Sequence, residues 1–146
     1  MITHLAKVRV RYADTDQMGV VHHARILEYF EVARSELIRT FGVSYSNLEK
    51  RGLLLPVIEV FAQYKKPAYY DELLLVESRL VEFPKATLKI EYDIFRENEK
   101  KPIVSGYSVH TFLNAETKKL IRPPDYFIKA LEKRWNQNDL SINENG

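Results

Sequence analysis

The chain has 146 residues, enough for one domain with a real core and too few for two. It is 45% hydrophobic and 29% charged, and its net charge of +2 is far too small to argue for a nucleic-acid partner. The absence of cysteine excludes disulfides, thiol nucleophiles and thiolate metal sites and fits a reducing compartment; with no apolar leader or span of membrane length, a cytoplasmic protein without integral membrane association is expected.

Residues from about Leu5 to Tyr12 are predicted as a first strand, with Val8, Val10 and Tyr12 alternating against Lys7, Arg9 and Arg11. A short loop follows with two carboxylates, Asp14 and Asp16, and Gly19 can turn it tightly because it lacks Cβ. From about His22 to Phe41 the spacing becomes helical. Leu27, Phe30, Ala33, Leu37 and Phe41 recur on one face, and Gly42 supplies a stop. A helical turn is predicted from Ser46 to Arg51, where Ser46 and Glu49 have capping-box spacing.

Four strands are then expected: Leu54 to Lys66, interrupted by Pro56, then Glu72 to Phe83, Ala86 to Ile94 and Ile103 to Asn114. The third alternates strictly, with Ala86, Leu88, Ile90, Tyr92 and Ile94 on one face, so one face is buried and the other wet. Pro123-Pro124 begins a short amphipathic helix carrying Phe127, Ile128, Leu131 and Trp135. A single domain over residues 1–135 and a polar, flexible tail over 136–146 are expected. Short connections favour antiparallel neighbours, and the long helix must bury its stripe on the sheet. The predicted class is α+β, a curved antiparallel sheet wrapped around a central helix. An aromatic content of 12% on a small sheet with an open edge points to a homo-oligomer.

The chemistry concentrates just before the long helix. Asp16 is placed near the positive end of the helix dipole, where N–H groups lack intrahelical partners. Taken alone, that carboxylate reads as a capping group at least as readily as a catalytic one, and Asp14 reads as a structural acid holding the loop. Asp14, Asp16, His22 and His23 do not make a metal site on this pattern: adjacent helical histidines diverge by about 100°, and no third ligand is well spaced. His4 and His110 belong to no constellation, and the lysine pairs 65–66, 100–101 and 118–119 read as solvated surface.

Tyr12-x-Asp14-Thr15-Asp16-x-x-Gly19-x-Val21-x-His23, followed by Phe30-Glu31-x-Ala33-Arg34, resembles the signature of hotdog-fold acyl-CoA thioesterases. The likeness is to the 4-hydroxybenzoyl-CoA thioesterase-like branch, including thioesterases associated with the Tol-Pal system. Tyr64-x-x-Pro67-Ala68-x-Tyr70-Asp71-x-Leu73 resembles the turn between that family's second and third strands. The resemblance implies a five-stranded antiparallel sheet around the helix, a homodimer or homotetramer with active sites at the dimer interface, and no cofactor or metal. It implies that Asp16 is the catalytic aspartate and that the His23 backbone N–H receives the thioester oxygen. Tyr12 and the His23 ring match assisting groups, and Gly19, Val20 and His23 match the substrate-binding stretch.

A thioester carbonyl is electrophilic and its thiolate leaves readily, so one carboxylate acting as base or nucleophile suffices beside amides that hold the oxyanion. Hydrolysis of an acyl-CoA or acyl-carrier-protein thioester is the expected function. The rivals are 3-hydroxyacyl-thioester dehydration, which usually pairs a histidine with an acid on facing elements, and a non-catalytic acyl-CoA or acyl-carrier-protein binding module.

Overall fold

In the computed structural model the backbone is described for residues 1–145 and the side chains for residues 1–137. Five strands form one antiparallel sheet: β1 (Ile2–Arg9), β3 (Val57–Tyr64), β4 (Leu73–Leu80), β5 (Thr87–Arg96) and β6 (Val104–Thr111), in the order β1-β4-β5-β6-β3. A two-stranded ribbon joins β2 (Leu53–Leu54) to β7 (Leu113–Asn114). The helices are α1 (His23–Arg39), α2 (Tyr45–Lys50) and α3 (Asp125–Asn145). This is the α+β arrangement expected from the sequence, with α1 packed on the sheet against β1, β4 and β3.

Period-two patterning decides which face of the sheet is inside. Leu74, Val76 and Leu80 on β4 and Leu88, Ile90, Tyr92 and Ile94 on β5 are buried, while Thr87 and Lys89 are exposed. The helix answers with Ile26, Phe30, Ala33 and Leu37, and each large side chain so buried contributes about 1.5–3 kcal/mol. Phe30 stacks on Tyr92 at 4.4 Å and lies against Gly106, where a Cβ would meet the Phe30 ring and the Phe61 carbonyl. Leu27, expected on this face, is 37% exposed. One residue is a 100° step, and Leu27 turns toward the sheet edge while Ile26 takes the inner place.

Several boundaries move. The first strand spans Ile2–Arg9 rather than 5–12, because Ile2 is fully buried opposite Leu80, and Tyr12 falls in the short helical turn Tyr12–Asp14 that follows. Ser44, not Ser46, caps α2, its hydroxyl accepting from the Asn47 N–H at 3.3 Å. Pro56 separates β2 from β3, so the strand expected from residue 54 is two. The helix of Phe127 and Leu131 docks through Phe127 against Phe41 and Phe112, and Trp135 meets Phe83 edge-on at 5.7 Å. Its backbone continues through Asn145, while the side chains of the tail expected beyond 136 lie almost wholly outside the described residues. No helix among the described residues is long and apolar enough to cross a membrane.

The strand order leaves β1 and β3 at the two edges of the sheet. On β3, Val57, Ile58, Val60, Phe61 and Tyr64 are each 43–57% exposed, a largely apolar outer strand whose one charged side chain, Glu59, accepts a hydrogen bond from the Tyr107 hydroxyl.

Candidate active site

After β1 the chain makes its tight turn and then folds back on itself. Thr15 bridges Val21, the Asp16 N–H donates to the Val20 carbonyl at 2.8 Å, and the Gly19 N–H donates to the Asp16 carbonyl at 3.0 Å. Gly19 closes this loop at φ +77°, a left-handed conformation that side chains disfavour. The loop is sewn to the segment before β4, where the Val21 N–H donates to the Ala68 carbonyl at 2.8 Å and Val20 bridges Tyr69. Arg96 braces that segment by donating to the Pro67 carbonyl and to Glu72 Oε2.

The two acids of the loop part company. Asp14 is 1% exposed and accepts from the Arg11 N–H, the Arg11 guanidinium and the Tyr29 hydroxyl, the last at 2.8 Å. Burial alone would raise its pKa, but the hydrogen bonds from the Arg11 side chain, Tyr29 and the Arg11 N–H outweigh it and hold the carboxyl below its ordinary range. Burial and the bond to Asp14 push the Tyr29 phenol up. Asp14 is a structural acid, as expected. Asp16 is exposed. Its Oδ1 accepts from the N–H groups of Met18 at 2.8 Å and Val20 at 3.3 Å, while Oδ2 has no donor among the described residues. One oxygen is fixed by the loop and the other is not.

Helix α1 opens beside it. His22 is the N-cap, its Nδ1 accepting from the Ala24 N–H at 3.3 Å, and the Arg25 N–H bonds the His22 carbonyl at 2.9 Å. The His23 N–H at the first helical position finds no acceptor among the described residues. It is a donor at the positive end of a 17-residue helix. The rings of His22 and His23 do not diverge as helical neighbours would. His22 has extended backbone, φ −63° and ψ 133°, and the rings lie 4.3 Å apart at a 30° tilt. Among the described residues no three His, Asp or Glu side chains gather as a metal site.

A cavity of about 330 Å³ opens here, with Asp16, Val20, His23, Ile26, Tyr64 and Lys66 on its walls. Its walls combine apolar side chains with the Asp16 carboxylate, the imidazoles of His22 and His23 and the lysines Lys65 and Lys66. A family model for the thioesterase-like superfamily matches residues 10–131. The chain belongs to that superfamily. Its fold is the hotdog fold, and a DHNA-CoA thioesterase from Staphylococcus aureus superposes with a TM-score of 0.85 at 29% identity, over 100% of this chain and 97% of that one. The protein YneP of Bacillus subtilis (strain 168) is 44% identical over 82 residues, 55% of this chain and 59% of its own length. The acyl-CoA thioesterase YbgC of Haemophilus influenzae is 41% identical over 90 residues, 61% of this chain and 66% of its own length. These two matched stretches therefore span about three fifths to two thirds of those relatives.

Of the expected site residues, Asp16, Val20 and His23 meet at this superfamily member's cavity. Gly19 shapes the loop and is not on the cavity wall. Tyr12 does not reach the cavity of its own chain: its ring is 78% exposed and packs edge-on to Tyr70 at 5.7 Å. Tyr64 was not anticipated in the site; its hydroxyl donates to the His23 carbonyl at 3.0 Å, its ring stands edge-on to that of His23, and burial raises its pKa. Lys65 and Lys66, read as surface, are exposed yet line the cavity, and Lys65 Nζ donates to Ser105 Oγ. The signal for Tyr64 lay in the Tyr64-x-x-Pro67-Ala68 motif, whose place in three dimensions the sequence does not state.

Proposed function

We propose that the protein hydrolyses acyl-CoA thioesters at the His23 end of α1. The observation that carries this reading is the juxtaposition of the open Asp16 Oδ2 and the unpartnered His23 N–H on one cavity wall. The thioester carbonyl oxygen takes the His23 N–H, which stabilises the negative charge developing there; a good donor of this kind is worth about 3–4 kcal/mol. As general base, Asp16 Oδ2 takes a proton from water while the water oxygen bonds the acyl carbon. The C–S bond then breaks, and the proton goes to the departing thiolate. As nucleophile, the same oxygen forms a mixed anhydride that water opens. Single turnover in ¹⁸O-water labels Asp16 only when an anhydride forms and water opens it at the Asp16 carbonyl carbon, and trapping of an acylated Asp16 with hydroxylamine reports the anhydride whichever carbonyl water attacks. Tyr12 and the His23 ring are read as assisting groups, and Gly19 and Val20 as the backbone that frames the bound ester.

The protein acts as a homo-oligomer whose β3 edges pair, which removes the exposed apolar strand and closes the cavity. Tyr12 then faces outward on a surface available to a partner copy. Sedimentation equilibrium at micromolar concentration is expected to give a dimer or tetramer, and monomer alone would remove this part of the reading. The lack of cysteine fits a cytoplasmic setting. The functional test is release of free CoA from a panel of acyl-CoAs followed with a thiol reagent. Turnover supports the reading, whereas tight binding of acyl-CoA without turnover favours a non-catalytic acyl-CoA module.

A further inference from the structure

The unpaired His23 N–H belongs to the peptide unit between His22 and His23, and the units on either side of it are both anchored. Upstream, the His22 N–H donates to the Asp14 carbonyl at 2.9 Å. Downstream, the His23 carbonyl accepts from the Tyr64 hydroxyl at 3.0 Å. The upstream anchor is backbone to backbone and needs no particular side chain. The downstream one depends on a phenol at the last position of β3, 41 residues away in the chain.

Tyr64 is well placed to act as an anchor. It pairs with Val104 across β3 and β6, and the N–H groups of the next two residues, Lys65 and Lys66, both donate to the Ile103 carbonyl, at 2.8 and 3.1 Å. Its ring stands edge-on to the His23 imidazole at 6.2 Å, and it shares the cavity wall with His23 and Asp16. A carbonyl oxygen has two lone pairs, so this bond adds to helical hydrogen bonding at His23 and does not replace it. The single hydroxyl proton is committed to that carbonyl and is not aimed at a departing thiolate. Among the described residues, only this hydroxyl and the capping ring of His22 bond the backbone of residues 22–24 through a side chain.

We infer that Tyr64 is a positioning residue for the oxyanion donor: by tying the first turn of α1 to the end of β3, it fixes where the His23 N–H stands relative to Asp16. This rests on the thioesterase reading above and extends its machinery to a residue outside the loop and helix that carry the reaction. Hydrolysis needs the acyl carbon within reach of Asp16 while its oxygen meets the N–H, and a misplacement of about 1 Å can cost about 10²-fold in rate. A latch on one side of the donor therefore acts on kcat more than on substrate affinity.

The test is Tyr64→Phe, which removes the hydroxyl and keeps the ring beside His23. Tyr64 is half exposed at a sheet edge, so the substitution spares the core. The variant is expected to keep the wild-type urea midpoint, sedimentation behaviour and shape of the kcat pH profile. Its kcat should fall at least about tenfold with KM within about threefold, by the same factor on a CoA ester and on an activated aryl thioester. A kcat within about threefold of wild type overturns the inference, as does a loss that tracks a lowered urea midpoint or altered sedimentation. A loss on the CoA ester that the aryl thioester rescues also overturns it, because Tyr64 would then be a proton donor to the leaving group. Wild-type protein inactive on every acyl-CoA and on the aryl thioester sinks the thioesterase reading itself, and this inference with it.

Discussion

Asp14 and Asp16 stand two residues apart in one loop and have opposite surroundings. The inner half of the loop is a closed structural joint: Asp14 is buried, Arg11 holds it from one side, and the Tyr29 hydroxyl ties it to α1. The outer half is open: Asp16 lines the cavity, and it spends one oxygen on two loop N–H groups while the other has no donor among the described residues. On the proposed reading, identical chemistry divides into fixing and reacting according to which face of the turn it occupies. A rigid inner acid lets the outer one be exposed without being loose.

The widest separation should come from Asp16→Asn. The amide can still accept the loop N–H groups, so folding and acyl-CoA binding are expected to persist. Loss of the base or nucleophile should lower kcat by about 10²–10⁴. Turnover within about threefold of wild type would break the proposed division of roles.

Asp14→Ala should do the reverse. It leaves the Tyr29 hydroxyl buried without its acceptor, a cost of about 1–3 kcal/mol in a urea titration. Acid sharpens the same contrast. A depressed carboxyl binds its proton more weakly folded than unfolded, so the Asp14 contribution is present above its ordinary value near 3.8 and fades as pH falls below that. His110 acts earlier: burial, with the Arg34 charge nearby, lowers it from 6.5 to about 4. Between those values the unfolded chain holds a proton that the folded chain refuses, and stability falls as pH drops. A Tm profile should therefore decline first from about pH 6.5, and His110→Gln should flatten that upper limb.

His23→Ala probes the open half again with a smaller effect. Alanine keeps the backbone N–H and the helical conformation, so kcat should fall by well under the 10²–10³ expected for a lost oxyanion donor. The counter-result has a distinct signature. A loss on CoA esters equal to that of Asp16→Asn, rescued only for His23→Ala by an activated aryl thioester, would make the imidazole a general acid. Gly19→Ala should be the mildest change. A Cβ there meets nothing within 4 Å, so only the left-handed φ of +77° is penalised, by about 1 kcal/mol in the same urea titration.

Much of this protein was readable along the chain. Strict alternation through Leu88, Ile90, Tyr92 and Ile94 defined the inner face of β5, and the spacing of Phe30, Ala33 and Leu37 defined the buried side of α1, because strand and helix periods are local properties of the backbone. Proximity of Asp16 to the start of α1 was equally local. Tertiary structure alone decided the rest. Ile26 rather than Leu27 faces inward because the sheet edge ends beside α1, and Tyr12 leaves the first strand because β1 is positioned by Ile2 against Leu80. Tyr64 joins His23 from 41 residues away, and Arg34 meets Tyr92 from 58 away. Such encounters depend on how strands are ordered and registered in the sheet, and no period within a single segment encodes that order.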